Sequence, residues 1–187
     1  MNVAKIVFAG TPNFALASLR ALVVAGSIPV AVLTQPDRPA GRGKKIKASA
    51  VKTYSMEKNI PVLQPNKLKD SEFIAAIAAM KPDIMVVAAY GLIIPEVLLD
   101  LPRHGSVNVH ASLLPRWRGA APIQRAMLAG DFETGISLMK MEAGLDVGPI
   151  YAQAALEIDS AESAGELHDR LAQLGGELLK DNLSDIL

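Results

Sequence analysis

The sequence predicts an α/β fold with a doubly wound, mostly parallel sheet, and three observations carry that reading. Short β-branched apolar runs alternate with stretches of helical periodicity. The first elements form a strand–helix–strand unit within about thirty residues, the length of a parallel βαβ crossover. Asp83-Ile-Met-Val-Val-Ala-Ala89 is apolar almost throughout, as a strand covered on both faces must be.

Val3 to Ala9 reads as the first strand, ending at Gly10. Thr11 can cap a helix whose first turn accepts Pro12; Leu16, Leu19 and Val23 then recur at helical spacing as far as Gly26. Ile28 to Leu33 is the second strand. Gln35 to Lys47 carries two Pro, two Gly and five basic residues with no apolar period, so a long loop is expected. Ala48 to Lys58 follows as a helix and Pro61 to Leu63 as a short strand. Ser71 to Met80 is an Ala-rich helix that stops before Pro82. Past the 83–89 strand, Tyr90-Gly91 turns the chain and Pro95 opens a short helix. Gly105 to His110 is an alternating strand, Ala120 to Leu128 a helix, Ile136 to Met141 a strand. Gly144 to Gly148 is a turn and Ile150 to Ile158 a strand. Ala161 to Leu187 is expected to be mostly helix, interrupted at Gly175-Gly176. The helical ending at Asp185-Ile-Leu187 reads as a cut rather than a natural finish.

The 187 residues suit one domain with a real core. The absence of cysteine excludes disulfides, thiolate nucleophiles and cysteine metal sites, and fits a reducing compartment. No apolar run reaches membrane length and Met1 to Gly10 holds no signal-peptide core, so a soluble cytoplasmic protein is expected; a monomer is a separate expectation that no sequence feature derives. The formal net charge of zero conceals a polarity. Residues 1–129 carry 16 Lys/Arg against 7 Asp/Glu, and residues 130–187 carry 3 against 12. Arg38, Arg42, Lys44, Lys45, Lys47, Lys52 and Lys58 crowd one window opposed by Asp37 and Glu57. Such a cluster can hold a phosphate-rich ligand; a solvated loop and helix face accounts for the same charges without one.

The first strand–helix turn, Gly10-Thr-Pro-Asn13, is not a dinucleotide fingerprint, and the chain has no phosphate loop, HExxH or GxSxG element. The candidate chemistry lies at Asn108-Val-His110. Residues two apart on a strand share a face, so Asn108 and His110 project together from the carboxyl end, where open α/β sheets bind ligands. An amide donor beside an imidazole suits an oxyanion formed in acyl transfer, though a hydrogen-bonded polar pair at a strand end has the same pattern. Asp146, between Gly144 and Gly148, can pair with His110 or serve only its own turn. Ser112 as a nucleophile is a weaker rival, since it lacks the elbow.

Asn108-Val-His-Ala-Ser-Leu-Leu-Pro-Arg-Trp-Arg-Gly-Ala-Ala-Pro-Ile-Gln124, followed by Met141-Glu-Ala-Gly-Leu-Asp-Val-Gly148, resembles the folate-dependent formyltransferases over essentially the whole chain. Phe8-Ala-Gly-Thr-Pro-Asn-Phe14 and the basic Pro36–Lys45 loop are similar to the branch that formylates methionyl initiator tRNA. The resemblance implies a Rossmann-like formyltransferase fold, 10-formyltetrahydrofolate as donor, the α-amino group of methionyl initiator tRNA as acceptor, and no metal. It implies Asn108, His110 and Asp146 as the catalytic residues. It places folate contacts at Ser112, Leu113, Leu114 and Pro115, with the pterin near Ala89, Tyr90, Leu92 and Ile93 and the 139–146 loop. It places tRNA contacts at Arg38, Arg42, Lys44, Lys45 and Lys47. Leu113, Leu114 and Ile93 are expected to line the folate pocket, and His104 and His168 to have no catalytic role. Residues 1–187 correspond to the catalytic domain, without the C-terminal tRNA-binding β-barrel of the family. A formyltransferase acting on a small amine, or a non-catalytic folate- or RNA-binding module, are the competing readings.

Overall fold

A computed structural model describes residues 4–40 and 45–187. The elements are β1 (Ile6–Gly10), α1 (Asn13–Val24), β2 (Ala31–Leu33), β3 (Arg38–Ala40), β4 (Lys45–Lys47), α2 (Ala50–Glu57), β5 (Val62–Leu63), α3 (Ser71–Met80), β6 (Ile84–Ala88), α4 (Glu96–Leu99), β7 (Ser106–His110), α5 (Pro122–Leu128), β8 (Glu133–Lys140), β9 (Ile150–Glu157) and α6 (Ala164–Ile186). Seven strands form one sheet in the order β5-β2-β1-β6-β7-β8-β9. Pairing is parallel from β5 through β7 and antiparallel at β7–β8 and β8–β9. The chain winds outward from β1 to β2 and β5, then returns to lay β6 on the other side of β1. That reversal opens a crevice beyond the carboxyl ends of β1 and β6.

Side-chain alternation along β1 divides the core into two layers. Ile6 and Phe8 join the layer under α1 and α6, with Leu19, Leu22, Leu171 and Leu179. Val7 and Ala9 join the opposite layer with Ile77 of α3 and Leu98 of α4. All five residues of β1 and of β6 are buried, which explains their continuous apolar sequences. Local caps agree with the ends: the Ser49 hydroxyl accepts the Lys52 amide at α2, and Ser163 and Glu166 form a reciprocal capping box at α6.

Three expectations need correction. The 35–47 stretch is not all loop: β3 and β4 form an antiparallel ribbon with Arg38 opposite Lys47 and Ala40 opposite Lys45. Its described side chains, Arg38, Pro39, Ile46 and Lys47, are exposed, so burial imposes no apolar alternation on the sequence there. Its root is fixed by Lys52, which donates to Asp37 at 2.6 Å and to the Gln64 side-chain oxygen at 2.8 Å; the Gln64 amide donates to Asp37 in turn, and the bonds from Lys52 and Gln64 hold the Asp37 carboxyl below the usual range. Arg42 and Lys44 lie outside the described residues. Second, α6 runs unbroken through Gly175-Gly176. A Cβ at 175 would stand 2.9 Å from Val109, and one at 176 would stand 3.0 Å from the Ala17 carbonyl. The glycines let α6 lie close on the sheet and on α1 rather than ending it. Third, Thr11 does not cap α1: Pro12 occupies that position without a side-chain bond, and the Thr11 hydroxyl donates to the Tyr90 carbonyl at 3.0 Å.

Candidate active site

A cavity of about 620 Å³ lies at the carboxyl ends of β1, β6 and β7. It is lined by Ala89, Tyr90, Leu92 and Ile93 of the β6–α4 connection and by Asn108, His110 and Asp146. β7 supplies Asn108 and His110, alternating with Val107 and Val109, which are buried in the α1–α6 layer. Its antiparallel neighbour β8 leads into the 141–149 connection that returns Asp146 over the strand end.

Asp146 adopts φ +50°. Its Oδ2 accepts the Gly119 amide at 2.8 Å and its Oδ1 accepts the Asn108 side-chain amide at 3.4 Å. His110 Nδ1 stands 3.6 Å from Asp146 Oδ2, close enough for ionic attraction but too long for a hydrogen bond. The carboxylate is therefore anchored by a backbone amide and faces His110 across a gap. The other ring nitrogen, Nε2, lies 3.0 Å from the Trp117 carbonyl oxygen. His110 is 7% exposed and the Asp146 side chain 13%. Gly119 has φ +86°, a conformation glycine adopts without cost, and this aims its N–H at Asp146.

Backbone strain gathers here. Among the described non-glycine residues with positive φ, Ala89, Ala121 and Asp146 line the cavity and Trp117 bonds His110. Such conformations cost on the order of 1–3 kcal/mol each and persist where surrounding contacts enforce them. The Ala89–Tyr90 corner is held by Thr11 and by Gln35, whose side-chain amide donates to the Tyr90 carbonyl at 2.9 Å. The Tyr90 ring is buried, and burial pushes its phenol up to about 12, so it stays neutral at physiological pH. Among the described residues, no cluster of three or more His, Asp or Glu is placed to hold a metal ion.

The structure thus brings Asn108, His110 and Asp146 together in one cavity, which Ala89, Tyr90, Leu92 and Ile93 also line. It does not bring Ser112, Leu113, Leu114 or Pro115 to the cavity wall. The Leu114 amide donates to the Ser137 hydroxyl, which itself donates to the Ser112 carbonyl, and Gln153 donates to the Leu114 carbonyl. These bonds turn the segment onto β8, and Leu113 lies over Gly135. The Ser112 hydroxyl donates to the Arg116 carbonyl at 2.6 Å, a turn-forming role rather than a nucleophile's. Arg38 and Lys47 oppose each other on the exposed ribbon, an arrangement that is repulsive by itself. Phe14, which the sequence did not mark as a site residue, and His168, expected to have no catalytic role, also line the cavity and meet edge to face at 5.9 Å. The position of His168 beside Leu167 and Leu171, on the buried face of α6, was the available signal.

A sequence profile of the formyl transferase family matches residues 1–183. The chain belongs to the formyl transferase family. It is 58% identical over 179 residues to the methionyl-tRNA formyltransferase of Xanthomonas campestris pv. campestris, covering 96% of this chain and 58% of that protein. It is 58% identical over 171 residues to the methionyl-tRNA formyltransferase of Pseudomonas fluorescens, covering 91% and 54%. The chain thus spans little more than half the length of these curated relatives. Among solved structures, glycinamide ribonucleotide transformylase 1 from Geobacillus kaustophilus superimposes with a TM-score of 0.79 at 27% identity, covering 100% of both chains. Phosphoribosylglycinamide formyltransferase from Bacillus halodurans shares the fold, with a TM-score of 0.78 at 24% identity over 98% and 95% of the two chains. The mostly parallel seven-stranded sheet of this chain is the formyltransferase fold.

Proposed function

We propose that this chain carries the formyl-transfer site of a methionyl-tRNA formyltransferase, moving a formyl group from 10-formyltetrahydrofolate to the α-amino group of methionyl initiator tRNA. The observation that carries the reading is the convergence of Asn108, His110 and Asp146 in one largely apolar cavity. The 58% identity to methionyl-tRNA formyltransferases favours this acceptor over a small amine.

The cavity suits a flat heterocycle joined to a longer linker. Ala89, Tyr90, Leu92 and Ile93 bind the folate; Ile93, 96% exposed, gains apolar cover when the site fills. The formyl carbon then lies between Asn108 and His110. Attack by the neutral amine breaks the carbonyl π bond and places negative charge on the formyl oxygen. The Asn108 amide and the protonated His110 ring donate to that oxygen. Asp146 takes a proton from the amine nitrogen, directly or through water, and returns one by the same route to the departing folate nitrogen as its bond to carbon breaks and the carbonyl re-forms. Proton count is conserved, and no covalent enzyme intermediate is involved. Ser112 to Pro115, bonded to Ser137 and Gln153, brace the strand end from β8 and β9.

The RNA contacts are Arg38, Arg42, Lys44, Lys45 and Lys47. The direct opposition of Arg38 and Lys47 supports this, because a polyanion relieves the repulsion between them. In the double variant Arg38→Ala/Lys47→Ala, binding of methionyl-tRNA weakens. The slope of log affinity against log salt flattens by about 0.7–0.9 for each phosphate contact removed. Folate affinity stays at the wild-type value. Titrations at several salt concentrations check this; equal slopes for the two proteins would reduce the ribbon to a solvated surface.

A further inference from the structure

We propose that Trp117 and Asp131 are positioning residues that hold a carbonyl against His110 and confine proton exchange on its ring to Nδ1. A carbonyl oxygen can only accept, so the nitrogen facing it must carry hydrogen whenever the contact exists. The Trp117 carbonyl lies 3.0 Å from Nε2. A neutral His110 is then the Nε2–H tautomer, with the Nδ1 lone pair turned toward Asp146, whose Oδ2 is 3.6 Å away. A protonated His110 has its additional hydrogen on Nδ1. One atom thereby changes from acceptor to donor while the other never changes.

The carbonyl points this way only because Trp117 has φ +60°, a left-handed conformation unfavourable for a residue with a bulky side chain. Several contacts enforce it. The indole N–H donates to Asp131 Oδ2 at 2.7 Å. Arg116 grips the same carboxylate with two bonds of 2.8 and 2.6 Å. The indole also has the guanidinium carbons of Arg116 and Arg125 at 4.3 and 4.9 Å from its ring centre. Arg125 is itself tied to the Arg118 carbonyl at 2.9 Å. The Ser112 hydroxyl fixes the peptide just before Trp117 through the Arg116 carbonyl. Asp131 sits in the turn between α5 and β8 and is not among the cavity-lining residues, so it acts through Trp117 and not on substrate. The Arg116 and Trp117 donors hold its carboxyl below the ordinary carboxylate range, so the lock is ionised at neutral pH. The titratable groups that share the cavity with His110 are Asp146, Tyr90 and His168.

The tautomer can be read in the free protein, independently of what the site transfers. The chain has three histidines, so ¹⁵N spectra of the imidazole rings are assignable by substitution of His104 and His168. In wild type, neutral His110 should show a protonated Nε2 and an unprotonated Nδ1, and only the Nδ1 signal should move strongly as pH falls. Trp117→Phe keeps an aromatic ring but loses the N–H to Asp131; Asp131→Asn weakens the grip of Arg116. In both, neutral His110 should become a mixture of tautomers. Because the proposal extends the formyl-transfer reading, turnover should fall tenfold or more through kcat, with the KM for folate little changed. Thermal melting of each variant identifies the one that remains folded at the assay temperature, and Asp131→Asn, which changes no packing volume, serves if Trp117→Phe does not. A wild-type neutral ring protonated on Nδ1, or variants in which the Nε2–H tautomer stays exclusive, would overturn the proposal. Expected ring spectra together with no formyl transfer by wild type would leave the lock standing and remove the reaction assigned to the site.

Discussion

Replacing His110 with alanine lowers single-turnover formyl transfer by roughly 10²–10⁴-fold, the range expected when an oxyanion donor and the partner of the proton-carrying Asp146 are removed together. The substitution leaves the apolar wall of Ala89, Tyr90, Leu92 and Ile93 in place, so the affinity for reduced folate changes little. Calorimetry of the folate and rapid-quench measurement of transfer separate the two effects. Asn108→Ala and Asp146→Ala act on the same site, joined by the Asn108–Asp146 contact and the Gly119 anchor. Their losses therefore do not multiply: a triple variant is scarcely slower than the most damaged single variant. Transfer by His110→Ala within a factor of a few of wild type would exclude the ring from the chemistry.

The largest loss of stability from a single truncation in the sheet is expected at Phe8→Ala. Phe8 lies at the centre of β1, fully buried between β2 and β6 and facing the layer built by α1 and α6. β1 is also the strand from which the chain winds both ways, so no element is free to collapse into the cavity the ring leaves. The cost is about 3–5 kcal/mol, read as a lower urea midpoint with an unchanged slope. A shift of under about 1 kcal/mol would mean that the two helices close the gap, contrary to the close seating of α6 through Gly175 and Gly176.

The parallel half of the sheet was legible because burial on both faces writes itself as uninterrupted apolar sequence, as in β1 and β6. The same logic made Asn108 and His110 visible, since a polar pair at i and i+2 interrupts an otherwise buried strand. What stayed hidden depended on distant contacts. Glycines at 175 and 176 look like a break until the chains they touch, Val109 and Ala17, are in place. The β3–β4 ribbon is paired through its backbone, and its described side chains at 38, 39, 46 and 47 are exposed, which leaves no periodic trace. Ser112 to Pro115 resemble pocket residues by proximity to His110, but Ser137 and Gln153 on β8 and β9 draw that segment away from the cavity. Trp117 and Asp131 are fourteen residues apart, and neither carries a local signature of the carbonyl they jointly aim at His110.

The formyl-transfer assignment is tested most directly by a single-turnover assay with 10-formyltetrahydrofolate and two alternative acceptors, methionyl initiator tRNA and glycinamide ribonucleotide. The assignment predicts formylmethionyl-tRNA as product, formed much faster by wild type than by His110→Ala, and no detectable formylation of the nucleotide. Formylation of glycinamide ribonucleotide in place of the tRNA, or folate binding without transfer to either acceptor, would contradict it.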